Sequence, residues 1–122
     1  MEKIKEMSID LETYSDVDIK KSGVYKYAES ENFEILLFAV SINGGDVIVY
    51  DLACGDVLPD EILDAIVSDD IIKWAFNASF ERICLSYWMS VTTLTASAVT
   101  AFLRTPLAIT LILLHGACTM IW

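Results

Sequence analysis

Two apolar runs flank Asn43-Gly44-Gly45-Asp46, and that arrangement leaves the chain few options. Residues 33–42 (FEILLFAVSI) and 46–52 (DVIVYDL) are rich in residues suited to a half-buried pleated surface. Between them stand the residue types that accept positive φ, as a tight hairpin turn requires. The two runs are therefore expected to pair antiparallel. Residues 4–11 alternate weakly and then turn apolar, as a strand entering a sheet would. Residues 14–32 are polar and read as a long loop with room for a short helical turn, carrying Tyr25 and Tyr27.

Further along, Pro59 suits a first helical position, Asp60 and Glu61 favour the positive end of a helix dipole, and Ile62, Leu63, Ile66 and Val67 form an apolar stripe. A helix is expected over 59–68, a fourth strand over 71–76, and a second helix over 78–89, capped by Asn77 or Ser79. The order is strand, strand, strand, helix, strand, helix. That order predicts an α/β domain with a mixed sheet, antiparallel at the hairpin edge and parallel where a helix crosses over.

The first strand ends in an unusual pair. Asp10 and Glu12 lie two residues apart, so their side chains share one face of an extended strand. Like charges that close are unfavourable unless a cation lies between them. Hard divalent ions such as Mg²⁺ or Mn²⁺ take carboxylate oxygens and suit such a position. Glu81 adds a third carboxylate in the first turn of the second helix, where topology lets it approach the end of the first strand.

The segments SIDLETYS (8–15) and FNASFER (76–82) together resemble the first two motifs of the DEDD 3′–5′ exonucleases. The form is that of the proofreading domain at the N-terminus of phage-type family A DNA polymerases. The resemblance covers residues 7–88. It implies a ribonuclease H-like fold of order β-β-β-α-β-α, incomplete at the C-terminus. It implies that Asp10, Glu12 and Glu81 are catalytic metal ligands in a two-ion site, with Glu81 in a place usually held by aspartate. Leu11, Thr13 and Tyr14 stand where that family seats the terminal nucleotide, and Asn77 and Phe80 where the second motif orients the helix start. The implied partner is the 3′ end of single-stranded DNA. The implied product is a nucleoside 5′-monophosphate, and a polymerase portion encoded downstream is a further implied partner.

Charge divides the chain. All 18 acidic residues, and every basic residue except Arg104, lie at or before Arg82. The resemblance implies a fourth carboxylate, with a His or Tyr preceding it, on a late helix; nothing acidic follows Glu81, and no aspartate follows His115. Residues 1–89 are thus expected to form a partial exonuclease domain and 90–122 a divergent tail. Cys118-Thr119-Met120 again resembles the polymerase family, so a reading frame lost near Met89 and regained near Cys118, or a decaying locus, would explain the tail. Hydrolysis is then expected to be impaired.

A net charge of −10 argues against binding nucleic acid through a broad basic surface, though not against a metal-mediated contact with phosphate. Three cysteines with no C-x-x-C pair fit reduced thiols. With no apolar core near Met1 to serve as a signal, a cytoplasmic location is expected. Two other readings compete. One is a non-catalytic nucleic-acid-binding module on the same fold. The other is a small membrane-associated protein, since 83–103 and 105–122 are uncharged and near the length of a bilayer span. Pro106, His115, Gly116 and the many Ser and Thr residues weigh against insertion, so no stable membrane association is expected.

Overall fold

The computed structural model describes residues 2–92, 111–114 and 117–121. Four strands form its centre: β1 (Glu6–Tyr14), β2 (Glu34–Ile42), β3 (Val47–Asp51) and β4 (Ile72–Ala75). Three helices accompany them: α1 (Ile19–Glu29), α2 (Asp60–Val67) and α3 (Ala78–Thr92). Two short strands from the tail, β5 (Leu111–Leu114) and β6 (Ala117–Ile121), extend the sheet. The sheet order is β3-β2-β1-β4-β6-β5.

The expected hairpin is present. β2 and β3 pair antiparallel from Leu37 opposite Asp51 to Ser41 opposite Val47. Asn43 (φ 51°) and Gly44 (φ 71°) take the positive φ values of the turn between them. Asn43 does more than turn the chain. Its Oδ1 accepts from the Lys5 and Glu6 amides at 2.8 and 3.2 Å, and its Nδ2 donates to the Lys3 carbonyl at 3.0 Å. One side chain thereby fastens the hairpin turn to the start of β1. Asn43→Ala is expected to lower stability by about 1–2 kcal/mol, measured by urea denaturation. A loss below about 0.5 kcal/mol, within the range of an ordinary surface change, would show the clasp to be incidental.

β1 runs antiparallel to β2 and parallel to β4, which it meets at Glu6 to Ser8 against Ile72 to Trp74. The parallel pair arises where α2 carries the chain across. This mixed sheet with its flanking helices is the ribonuclease H-like arrangement expected from the sequence. Met7, Ile9 and Leu11 point into the core from β1, and Phe38 and Val40 from β2. Ile62, Ala65 and Ile66 of α2, with Ile83, Cys84, Leu85 and Met89 of α3, cover them. A β-bulge between Glu12 and Thr13 shifts the β1–β2 register, with Glu12 opposite Leu37 and Thr13 opposite Ile35. The extra residue, Leu36, rephases β2, so that Ile35 and Phe38 both face the core although three residues apart.

The sequence reading of 14–32 as a loop needs correction. An eleven-residue helix, α1, occupies 19–29, entered through Asp18, whose side chain accepts from the Lys20 amide at 2.9 Å. It is kinked at Gly23, where φ 82° and ψ 170° leave helical space. Only Ala28 of this helix is buried, so the apolar stripe that usually announces a helix is missing.

The tail bears directly on how β4 is covered. β6 pairs antiparallel with β4, placing Ile121 opposite Trp74 and Met120 opposite Ala75. Residues 93–110, 115–116 and 122 lie outside the described residues, and with them the suspected frame loss near 90 in its larger part and His115. Among the described residues no helix is long and apolar enough to cross a membrane.

Candidate carboxylate site

Strand alternation builds the first half of the site. Met7, Ile9 and Leu11 are buried on one face of β1, and Ser8, Asp10 and Glu12 are exposed on the other. Asp10 and Glu12 therefore stand side by side on the open face, as their spacing predicts. Leu11, one of the residues matched to the nucleotide seat, is only 7% exposed and packs in the core beneath them. Tyr14 is exposed at the strand's end, and Thr13 is half-buried.

The second half comes from the turn between β4 and α3. Buried Ala75 ends β4, and the chain enters α3 through Asn77, whose carbonyl accepts from the Phe80 and Glu81 amides at 2.8 and 3.2 Å. Asn77 itself is exposed, while Phe80 is half-buried against the core. This first turn carries Glu81 inward to 4% exposure. Burial pushes the Glu81 carboxyl up to about 7. The backbone amides of Glu81 and Asn77 oppose that rise, and the charge of Asp10 adds to it. Asp10 and Glu81 thus feel each other electrostatically. Glu81 Oε2 is buried without a hydrogen-bond partner. No three His, Cys, Asp or Glu side chains among the described residues are grouped closely enough to hold a metal ion.

Tyr27 ties the two halves together, a role its sequence context did not signal. Its hydroxyl lies 2.9 Å from Thr13 Oγ1, and its ring centroid lies 6.1 Å from that of Phe80 and 5.8 Å from that of Phe33. Its carbonyl accepts from Ser15 Oγ at 2.8 Å. One residue of α1 therefore touches the end of β1 and the first turn of α3. Behind it, Asp16 accepts from Ser30 Oγ and Asn32 Nδ2, and these bonds, the Ser30 one foremost, hold its carboxyl below the usual range. Tyr27→Phe keeps the ring contacts and removes the hydroxyl. It should lower stability by about 1 kcal/mol. Thr13→Val should match it, and the double variant should lose no more than either, which a double-mutant cycle checks.

Lys73 is a second residue that sequence reasoning passed over. It sits in an apolar run, faces inward from β4 at 4% exposure, and donates through Nζ to the Ser68 carbonyl. Burial lowers its pKa, and Asp69 partly offsets that. An open cavity of about 860 Å³ lies between the end of α1, the start of β2, the β3–α2 connection and the second half of α3. None of Asp10, Glu12 and Glu81 lines it.

The chain is similar to a DNA polymerase of Bacillus phage SP02, with 52% identity over 83 residues. That stretch is 68% of this chain and 13% of the phage protein. No protein-family model matches the chain, and no solved structure matches it. The protein is accordingly related to a DNA polymerase, of whose length it spans about one eighth.

Proposed function

We propose that this chain is an exonuclease-type module of polymerase descent, which binds divalent metal and the 3′ end of single-stranded DNA and hydrolyses it poorly. The observation that carries the reading is the buried Glu81 carboxyl, whose Oε2 has no hydrogen-bond partner and which feels the charge of Asp10. Carboxylate oxygens are the donors that Mg²⁺ and Mn²⁺ take, and a cation there would relieve both the orphaned oxygen and the like-charge contact. Asp10, Glu12 and Glu81 are the residues that would hold it. When bound, such ions supply Lewis-acid activation of water and neutralise the charge that develops on the phosphate.

The chain's own residues do the remaining work. Thr13 and Tyr14 seat the terminal nucleotide at the end of β1, with Leu11 supporting that strand from the core side. Asn77 and Phe80 fix the first turn of α3, and with it the position of Glu81. Backbone contact and stacking hold the strand without regard to sequence. In this reading residues 1–89 are the exonuclease-type part and 90–122 a divergent tail, and a polymerase portion is encoded downstream.

The test is Mg²⁺-dependent digestion of 3′-labelled single-stranded DNA alongside Mn²⁺ titration calorimetry. Slow, metal-dependent release of mononucleotide together with Mn²⁺ binding is the expected result. A chain that binds neither Mn²⁺ nor a 3′-ended strand would sink the reading. The absence of a three-carboxylate cluster among the described residues favours a second reading, a non-catalytic nucleic-acid-binding module. Strand binding without any metal-dependent cleavage would select it.

A further inference from the structure

The open groove of about 860 Å³ lies apart from the carboxylate site, since none of Asp10, Glu12 and Glu81 lines it. Its floor is apolar. Phe33, Leu52, Leu63, Tyr87 and Trp88 are half-buried, and each packs against the core while also lining the groove. Ala28, Ile35 and Leu58, all buried, complete that surface. Val57 stands at the rim with 81% of its surface exposed. Apolar surface gathered in one concavity and rimmed by polar residues marks a place where something binds.

The rim decides what fits. Glu29, Glu31, Glu34 and Asp56 line the groove and are exposed, and among the described residues no basic side chain lines it. Glu29 pairs with Lys26 at 3.2 Å, a solvated pair of the kind that holds its partners weakly. Asp56 Oδ2 accepts from the Asp51 amide at 2.8 Å, a neutral donor that leaves its charge in place. Glu31 and Glu34 make no side-chain hydrogen bond or ion pair among the described residues. Such a rim repels a nucleic acid, and it repels a second copy of this chain, whose net charge is −10. The chain's own residues 83–122 bring one cation, Arg104, against four carboxylates. What matches is apolar bulk with several cations around it. In a polypeptide that is a basic amphipathic segment, whose Lys or Arg stems lie along apolar walls while their charged ends reach the carboxylates.

We propose that this groove docks a basic amphipathic segment of a partner protein. Its apolar side chains seat against Phe33, Leu63 and Trp88, and its Lys or Arg side chains face Glu31, Glu34 and Asp56. The docking needs neither metal nor a 3′ end, so it and the exonuclease reading stand or fall separately.

The test is titration calorimetry of the 122-residue chain with a synthetic peptide that carries leucines on one face and lysines on the other. A length of about 14 residues gives about 21 Å of helix. One peptide per chain is expected to bind, with a Kd on the order of 10 µM at about 50 mM KCl and more weakly at about 300 mM. Glu31→Gln combined with Glu34→Gln should weaken binding about five- to tenfold at the lower salt. Val57→Lys puts a repelling charge on the rim at an exposed position and should weaken it comparably. Asp46→Asn combined with Asp70→Asn removes as much charge from exposed positions outside the groove, and should leave affinity within about twofold of wild type. Thermal melts of these variants should match wild type, since every altered side chain is exposed. A peptide with serine in place of leucine should not bind.

An equal loss in the two double variants overturns the inference, because the peptide would then answer to net charge and not to the groove. Equal binding of the serine peptide overturns it as well, because the apolar floor would play no part. Wild-type affinity in Glu31→Gln with Glu34→Gln, or in Val57→Lys, does the same, as does a leucine peptide that fails to bind or binds at more than one place. None of these results touches the exonuclease reading, which 3′-end digestion tests without the peptide.

Discussion

Asp10→Ala is expected to remove metal-dependent release of nucleotides, to about one hundredth of the wild-type rate or less, without lowering stability. The first half follows from charge. If divalent ions sit between Asp10, Glu12 and Glu81, losing the carboxylate whose charge Glu81 feels withdraws about 3 kcal/mol or more of transition-state stabilisation, a hundredfold in rate. The second half follows from what Asp10 does in the folded chain. It is exposed on the open face of β1 and makes no side-chain hydrogen bond or ion pair among the described residues. The effect it does have is unfavourable, since its charge raises the pKa of Glu81. Alanine relieves that contact, so the melting temperature should hold or rise. The pairing of lost turnover with retained stability separates a metal ligand from a scaffold residue. Single-turnover digestion and a thermal melt measure the two together. A variant that digests at the wild-type rate would remove Asp10 from the site, and one that unfolds would contradict the burial pattern of β1.

How far the site could be read from the chain depended on the range of the signals. Period-two alternation is local, so Asp10 and Glu12 could be put on one face, and Met7, Ile9 and Leu11 on the other, from the sequence alone. The hairpin was legible for the same reason, because Asn43 and Gly44 sit between two runs of strand formers. α2 carried both its terminal acids and its apolar stripe. α1 carried neither acids in its first turn nor a stripe, and Gly23 interrupts it, so composition pointed to a loop. With α1 unread, Tyr27 had no place, and its contact with both Thr13 and Phe80 could not be foreseen. The burial of Glu81 is likewise a matter of packing. A first-turn acid is ordinarily solvated, and only the seating of α3 against the sheet takes this one out of water. The tail hid its strands for a different reason. A stretch of nearly unbroken apolar residues has no period to distinguish strand from helix, so the pairing of β6 with β4 emerged only in three dimensions.

Glu81 also gives the folded protein a pH dependence that can be measured in the absence of metal. Its carboxyl titrates near 4.5 when exposed and is pushed up to about 7 when folded, chiefly by burial. Between those values the native state holds a proton that the unfolded state has released. Stability therefore falls as pH rises through that window, and is flat in this respect below and above it. The expected size is about 3 kcal/mol, because each tenfold difference in proton affinity between the folded and unfolded chain is worth about 1.4 kcal/mol. In EDTA, urea denaturation at pH 4.5 and at pH 8 should show the wild-type chain losing about this much relative to Glu81→Gln. The glutamine variant keeps the shape and cannot ionise, so at pH 8 it should be the more stable protein by about 3 kcal/mol, and at pH 4.5 the two should nearly coincide. Mn²⁺ should change the comparison in one direction only. It binds the carboxylate form, so it should stabilise wild type most at pH 8 and leave Glu81→Gln nearly untouched. Equal pH profiles for the two proteins would mean that Glu81 is solvated. A gap at pH 8 that Mn²⁺ fails to close would mean that the buried carboxylate is real but holds no metal, leaving the non-catalytic module as the function of this fold.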